Sequence, residues 1–395
     1  MTDSKTTSWA PFKGYHFQRR PAVQGWVLIL VKFLAVLVAL LLIALFIRLS
    51  GLSIKDLAMS SYKSTLGSAF GLRQVGLLAT PLILTGLASA ICLKMRLWNI
   101  GAEGHLYMGA WAATAVGLNW VAPDWVAFIV MFVAGALAGA LWMLVPAVAR
   151  AYWDINEIIT TLMLNFVAIM WVNIFAIDVW KDNLVLRSSL RIPYNLPKFS
   201  GSLHIGILIA IGLAILLAIF LGRARFGYEI KLIGLNRKAA EYVGMPVAQR
   251  ILIVMLIAGA IAGIAGVVEV TGSTHRLNSF LSNRYGYLGI IVAIVANASM
   301  IGTVFVGLLF SLFLNIGMVL QTQGLSSNIV TVSTGLILLL VAIGDMLARY
   351  RLVRITPQLL EEESEQTQLL DEAPPSDQAL SMDAASQSPV DQGGT

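Results

Sequence analysis

Several polar side chains stand inside long apolar runs of this sequence. Glu269 lies near the end of the run that begins at Ile251, and Asn165 lies in the run Ile158–Val179, about one turn after Thr161. Polar groups inside apolar, membrane-type segments are costly and often mark a solute pathway. An Asn amide offers both a donor and an acceptor, and a carboxylate accepts hydrogen bonds from hydroxyl groups. We interpret Glu269, Asn165 and Thr161 as candidate contacts for a polar solute such as a sugar or a nucleobase.

Each of these residues also has a structural interpretation. Glu269 could stand at the outer water interface, and Asn165 could bond between helices, as polar residues in membrane bundles commonly do. Asn297 and Ser299 follow a short apolar run and are further pathway candidates with the same two interpretations. Residue type and spacing leave both interpretations open.

A conspicuous group of small and polar residues separates two apolar runs near position 100. It contains Asn99, Gly101, Glu103 and Gly104. A glutamate in the first turn of a helix is favoured by the helix macrodipole. We therefore interpret these residues as a structural turn near the cytoplasmic side, in preference to a solute contact.

The polar segment 234–246 predicts a short helix between two apolar runs. Asn236 is suited to cap its start, Ala239 and Ala240 favour helix, and Gly244 is suited to end it. Such a short, rigid element in a loop could be moved by a soluble partner, and the flanking runs would move with it. An ordinary amphipathic loop helix is the alternative.

The composition requires a membrane environment for most of the chain. Of its 395 residues 58% are hydrophobic and 12% charged, and its mean hydropathy is +0.80. A helix that crosses a bilayer needs about 20 apolar residues in a row. We therefore expect an all-α integral membrane protein, a polytopic bundle of about ten transmembrane helices. The candidate spans are Trp26–Ile47, Val75–Leu93, Leu106–Trp120, Trp125–Val148, Ile158–Val179, Ile205–Leu221, Ile251–Thr271, Leu288–Ala298, Thr303–Leu320 and Asn328–Ala348.

The basic residues predict the orientation, because Lys and Arg are enriched in cytoplasmic loops. Lys13, Arg19 and Arg20 place a cytoplasmic segment at 1–25, and ten crossings over 26–349 return the C-terminus to the same side. The net charge of +6 therefore does not indicate nucleic-acid binding, because these residues cluster at helix ends. Residues 350–395 are acidic, polar and predicted to be disordered.

Three segments together resemble one family of transport proteins. They are Leu97–Ala110, Glu157–Phe166 and the segment 234–246. The chain resembles the permease subunits of ABC importers in the simple-sugar and branched-chain amino-acid family, in the branch that works with nucleoside-binding, basic membrane lipoproteins. The third segment resembles the helix that couples such permeases to their ATPase, carried here by Gly234, Asn236, Ala239, Ala240, Glu241 and Gly244. Two positions depart from the family pattern: His105 stands where Gln is expected, and Ala296–Gly302 lacks the expected Gly and Pro.

The resemblance implies a function and a set of partners. It implies a permease of the bacterial inner membrane, with both termini in the cytoplasm, that translocates a nucleoside. The partners would be a cytoplasmic ABC ATPase, a second related permease chain in a heterodimer, and a periplasmic or lipid-anchored solute-binding protein. The chain itself would hold no cofactor, with ATP and Mg on the ATPase. It contains no Gly-Lys pair and so no phosphate-binding loop of the usual type, which also argues against an enzyme.

Two alternatives remain from the residues themselves. The same architecture could import a simple sugar or another polar metabolite, since no residue reads a nucleobase unambiguously. A stand-alone channel or an ion-coupled carrier is the other alternative, which predicts a relay of intramembrane carboxylates or histidines.

Overall fold

The computed structural model describes residues 15–19, individual positions between 30 and 48, and residues 53–354. The described positions between 30 and 48 are helical. The further helices are α1 (Ile54–Thr65), α2 (Ala69–Lys94), α3 (Ala102–Asn119), α4 (Asp124–Trp153), α5 (Glu157–Ile174), α6 (Gly206–Arg223), α7 (Arg225–Leu235), α8 (Arg237–Tyr242), α9 (Val247–Val268), α10 (Tyr285–Val295), α11 (Met300–Thr322) and α12 (Ser327–Arg349). Two π-helical turns, Phe175–Val179 and Glu269–Thr274, extend α5 and α9.

Helices stand where nine of the ten candidate spans were predicted, with shifted ends. Six of them, in the described part of the chain, are long and apolar enough to cross a membrane: Ala69–Lys94, Asp124–Trp153, Glu157–Val179, Gly206–Arg223, Val247–Thr274 and Met300–Thr322. The short eighth span is helix α10, with 11 residues. About half of the first span, Trp26–Ile47, lies outside the described residues, and its described positions are helical. The total of ten crossings stays a prediction.

Helix α2 forms the centre of the unit that comprises residues 35–342. It is buried along most of its length and packs against α10, α11 and α9. By contrast, α4, α5 and α6 bury less than a third of their apolar spans. Side-chain caps begin several helices: Ser68 accepts from the N–H of Gly71 at 3.0 Å, and Asn156 accepts from the N–H of Ile158 at 2.9 Å.

Helices α4 and α9 touch backbone to backbone through glycines. A Cβ on Gly263 would lie 2.2 Å from the carbonyl oxygen of Gly135, and one on Gly139 would lie 2.3 Å from that of Gly259. Small residues four apart allow such close approach between membrane helices. The spacing within each glycine pair predicts close helix approach in a compact bundle, and the structure shows that the two pairs meet each other.

We expect Gly263→Val to destabilise the protein by about 3 kcal/mol or more, because neither backbone at the crossing can move aside for the added atoms. The measurement is thermal unfolding of the purified protein in detergent. Gly212→Val in α6 is the matched control, since nothing lies within 4 Å of a Cβ placed there. Equal melting temperatures for both variants would contradict the crossing.

A second unit comprises residues 1–34 and 343–395. In its described part, strand β1 (Tyr15–Arg19) pairs antiparallel with strand β4 (Tyr350–Arg354). Residues 350–354 therefore differ from the prediction of a disordered segment over 350–395, and the remainder of that segment lies outside the described residues. The strand escaped prediction because its partner is far away in the sequence.

In the unit of residues 35–342, a smaller antiparallel pair joins β2 (Lys198–Ser200) to β3 (Leu203–His204).

Candidate functional site

The predicted short helix forms at 237–242 as α8. The side chain of Asn236 caps it by accepting from the N–H of Ala239 at 3.1 Å. Gly244 ends it with a φ of 76°, in the left-handed region that glycine adopts without strain. Two apolar side chains on and beside this helix are open to solvent, since Tyr242 is 87% exposed and Val243 is 72% exposed. Exposed apolar groups together with mixed charges are typical of a protein-binding surface.

A chain of ion pairs connects α8 to the loop between α4 and α5. Arg237 pairs with Glu241 at 3.1 Å and with Asp154 at 2.7 Å. Arg150 continues the chain, with contacts of 2.8 Å to Asp154 and 3.2 Å to Glu157. The pairs that Asp154 and Glu241 make are exposed to solvent, and such pairs contribute only about 0.2–1 kcal/mol each. Their importance here is that they connect α8 to the α4–α5 loop.

The chain of ion pairs ends on the turn that precedes α3. The second carboxylate oxygen of Glu157 accepts a hydrogen bond from the backbone N–H of Trp98 at 3.0 Å. Asn99 follows, and its Oδ1 accepts from the N–H of Gly101 at 2.9 Å. A continuous set of polar contacts therefore runs from α8 to the predicted structural turn. We call residues 97–104 the α3 entry segment.

Asn165 holds the α3 entry segment through both ends of its amide. Its Oδ1 accepts from the N–H of Gly104 at 2.9 Å, and its Nδ2 donates to the carbonyl of Ile100 at 2.8 Å. The side chain is fully buried. A Cβ on Gly104 would lie 2.8 Å from Oδ1, so only glycine leaves room for this contact. The geometry supports the helix-bonding interpretation of Asn165, and direct solute contact stays a prediction.

Glu103 joins the start of α3 to the start of α10. Its buried carboxylate accepts from the N–H of Gly286 at 2.8 Å. The hydroxyl of Tyr287, one residue further on, lies 3.4 Å from Nδ2 of Asn165. The starts of two helices and the amide of a third therefore meet in one polar cluster. His105, which departs from the family pattern, packs on Gly101, where an added Cβ would lie 2.5 Å from its Cε1.

Glu269 is buried and takes part in a separate polar chain. The hydroxyl of Ser273 lies 3.4 Å from a Glu269 oxygen and 3.5 Å from Nε2 of His204. Nδ1 of His204 accepts from the N–H of Gly206 at 3.1 Å. Burial, with smaller contributions from His275 and Lys198, lowers the pKa of His204 to about 4, so the ring is neutral near pH 7. With Nδ1 accepting, Nε2 carries the proton and donates to Ser273, whose hydroxyl donates to Glu269.

The remaining candidates serve local structure in addition to any pathway role. The hydroxyl of Thr161 donates to the carbonyl of Glu157 at 2.6 Å. Ser299 caps α11 by accepting from the N–H of Gly302 at 3.1 Å. Asn297 and Ala298 both adopt left-handed backbone, with φ of 53° and 54°. The turn where the family pattern has a glycine thus carries strain of roughly 1–2 kcal/mol at Ala298.

The helical region that contains these clusters matches a known protein family. The family model described as "Branched-chain amino acid transport system / permease component" matches residues 72–342, which include every element of the two polar clusters. The chain belongs to this family. Membership confirms the predicted resemblance to importer permeases, and with it the prediction of a multi-pass membrane transporter subunit whose ATPase is a separate chain.

Individual relatives cover most of this permease. It is 33% identical to the glucose ABC transporter permease protein TsgB13 of Haloferax volcanii, over 73% of this chain and 80% of the relative. It is 30% identical to the guanosine ABC transporter permease protein NupP of Bacillus subtilis, over 80% of this chain and 93% of the relative. It is also 30% identical to the nucleoside ABC transporter permease protein NupB of Lactococcus lactis, over 71% and 81% respectively.

Sequence reasoning missed several residues of these clusters. Tyr287 supplies a hydroxyl beside Asn165, His204 joins Glu269 from a different loop, and Asp154 links α8 to α4. Their partners stand tens of residues away in the chain, so no local spacing announces them. Tyr242 and Val243 carried a local signal, because apolar residues in a polar cytoplasmic-type segment are unusual.

Proposed function

We propose that this permease works in an ATP-driven importer of the bacterial inner membrane, crosses the membrane about ten times, and has both termini in the cytoplasm. The coupling helix is α8, which docks on an ABC ATPase that carries ATP and Mg. A second related permease chain completes the translocation pathway, and a periplasmic or lipid-anchored binding protein delivers the solute.

The contact path from α8 to the α3 entry segment carries this proposal. Two exposed apolar side chains offer the ATPase a docking surface, and Arg237, Asp154 and Arg150 link that surface to Glu157. Glu157 in turn holds the backbone of Trp98, at the start of the entry segment. Movement of α8 by ATP binding would therefore reach a segment that contacts both Asn165 and α10. Such a two-state element is what an energy-coupled permease needs.

Nucleosides are the proposed cargo, and simple sugars are the second candidate. Two relatives that are 30% identical have guanosine or nucleoside in their names, whereas the one that is 33% identical has glucose. Buried amide, carboxylate and hydroxyl groups near the pathway suit a neutral solute rich in hydroxyl groups. They do not separate the two classes.

Uptake by membrane vesicles that contain the complete transporter tests the proposal. We expect ATP-dependent uptake of radiolabelled guanosine, adenosine or uridine, with competition among the nucleosides and none from glucose. Glucose uptake instead would keep the importer and change its cargo. Uptake that needs no ATP would contradict the importer and support an ion-coupled carrier.

A further inference from the structure

The segment just before α10 carries a charged residue at an unusual depth. The carbonyl of Tyr285, the first residue of α10, accepts from the hydroxyl of Thr85 at 3.0 Å. Thr85 precedes Lys94, the last residue of α2, by nine positions, which is roughly 13 Å at 1.5 Å per residue. Since the hydrocarbon layer is about 30 Å thick, Asn283 and Arg284 lie near its middle if α2 crosses it.

Both of these residues are exposed beside the polar cluster, where the charge of Arg284 interacts with Glu103 and Tyr287. Asn283 and Arg284 are exposed, and the Arg284 guanidinium has no hydrogen bond or ion pair with the residues that the structure describes. By contrast, Arg276 is ion-paired with Asp182. A charged side chain open to lipid at this depth is costly, so such residues normally face a water-filled cavity.

The backbone here is held in a conformation that side chains disfavour. Asn283 and Arg284 have φ of 43° and 65°, two consecutive non-glycine residues in the left-handed region. Such strain persists only where the surroundings fix it, and it is concentrated at functional sites. The surroundings are visible here, since Glu103 fixes the N–H of Gly286 and Thr85 fixes the carbonyl of Tyr285. The side chain of Asn283, although exposed, also hydrogen-bonds the side chain of Tyr285.

We propose that Asn283 and Arg284 line the aqueous solute pathway at its middle depth and hydrogen-bond the solute there. The guanidinium donates to hydroxyl or carbonyl oxygens of an uncharged polar solute, and the Asn amide both donates and accepts. This inference rests on the proposed importer function and names the contact residues for it. Because Glu103 binds the start of α10 and also belongs to the α3 entry segment, the position of this pair depends on that segment.

Cysteine labelling of the complete transporter in right-side-out vesicles tests the pathway directly. The sequence has one natural cysteine, Cys92, which is buried, so each introduced thiol is the only accessible one in this chain. We make Arg284→Cys and Asn283→Cys and treat each with a membrane-impermeant thiol reagent. Leu186→Cys, 95% exposed before α6, is the labelled control, and Phe305→Cys, 69% exposed on apolar α11, is the unlabelled control.

We expect both pathway thiols to react with the reagent. Guanosine or glucose is then added alone at ten times its apparent Kd, where it occupies about 90% of the sites. The transported solute should therefore slow the labelling about tenfold. Each cysteine variant removes one proposed solute contact, so the other variant still reports solute protection if the first no longer binds the solute. Absence of labelling in both, with normal assembly, overturns the pathway assignment. Labelling that no added solute slows overturns the solute contact. Wild-type uptake in the same vesicles tests the importer function separately.

Discussion

The double variant Tyr242→Ala/Val243→Glu should abolish ATP-driven uptake while leaving the permease folded. Tyrosines in the centre of interfaces typically cost about 2 kcal/mol or more when truncated, which weakens binding roughly 30-fold. The glutamate adds an unpaired charge where an apolar side chain now stands 72% exposed. We therefore expect the ATPase to be lost from the purified complex, and uptake to fall at least about tenfold. Co-purification and vesicle uptake measure the two effects.

Tyr62→Ala provides the matched control for this experiment. Tyr62 is 60% exposed on α1, so it is also a largely exposed tyrosine, and α1 packs mainly against α11 and α2. It should retain the ATPase and full uptake. If the Tyr242→Ala/Val243→Glu variant, present at normal levels in the membrane, still bound the ATPase and still drove uptake, α8 would not be the coupling helix. The path through Arg237 would then be a local stabilising feature only.

The second large effect is expected at Asn165. Asn165→Leu leaves the N–H of Gly104 and the carbonyl of Ile100 without their partners in a buried setting. Each unsatisfied buried group costs about 1–3 kcal/mol, so the two groups together should lower the free energy of unfolding by about 2–6 kcal/mol. Thermal unfolding in detergent measures this loss, and uptake should fall with it because the entry segment loses its anchor.

Asn173→Leu, two turns later on α5, is the control for this substitution. The Oδ1 of Asn173 is buried with no hydrogen-bond partner among the described residues, so its replacement by leucine should be neutral or stabilising. The comparison also separates the two interpretations of Asn165. A variant with normal stability but a raised KM for uptake would make Asn165 a solute contact. Lower stability with an unchanged KM in the folded fraction would make it a structural clamp.

The polar cluster around α10 suggests how the proposed coupling helix and the proposed solute pathway would be connected. Glu157 and Asn165 stand eight positions apart on α5, roughly 12 Å along the helix. One holds Trp98 and the other holds Ile100 and Gly104. Movement at the start of α5, transmitted from Asp154 through Arg150 to Glu157, would therefore act on the entry segment at its first residues. Glu103 would transmit that shift to the start of α10.

The sequence by itself determined the class of the protein and most of its elements. Long apolar runs must form helices in lipid because no water is present to satisfy the backbone, and nine of the predicted runs coincide with helices of the structure. Asn236 and Gly244 predicted the limits of α8, because caps and left-handed ends depend on local residue chemistry. The glycine pairs 135/139 and 259/263 indicated only that helices approach closely in a compact bundle; that these two helices cross each other is seen in the structure.

Only the tertiary structure decided what the polar residues contact. The sequence places the Asn165 amide on a helix. Its partners, the backbone groups of Ile100 and Gly104, are more than sixty positions away in the chain. Glu269 meets His204 through Ser273, and Glu103 meets Gly286, again from distant parts of the chain. Periodicity fixes which face of a helix a residue occupies, whereas the neighbour of that face is set by how the helices pack. The physical role of each buried polar group is therefore a property of the packed bundle.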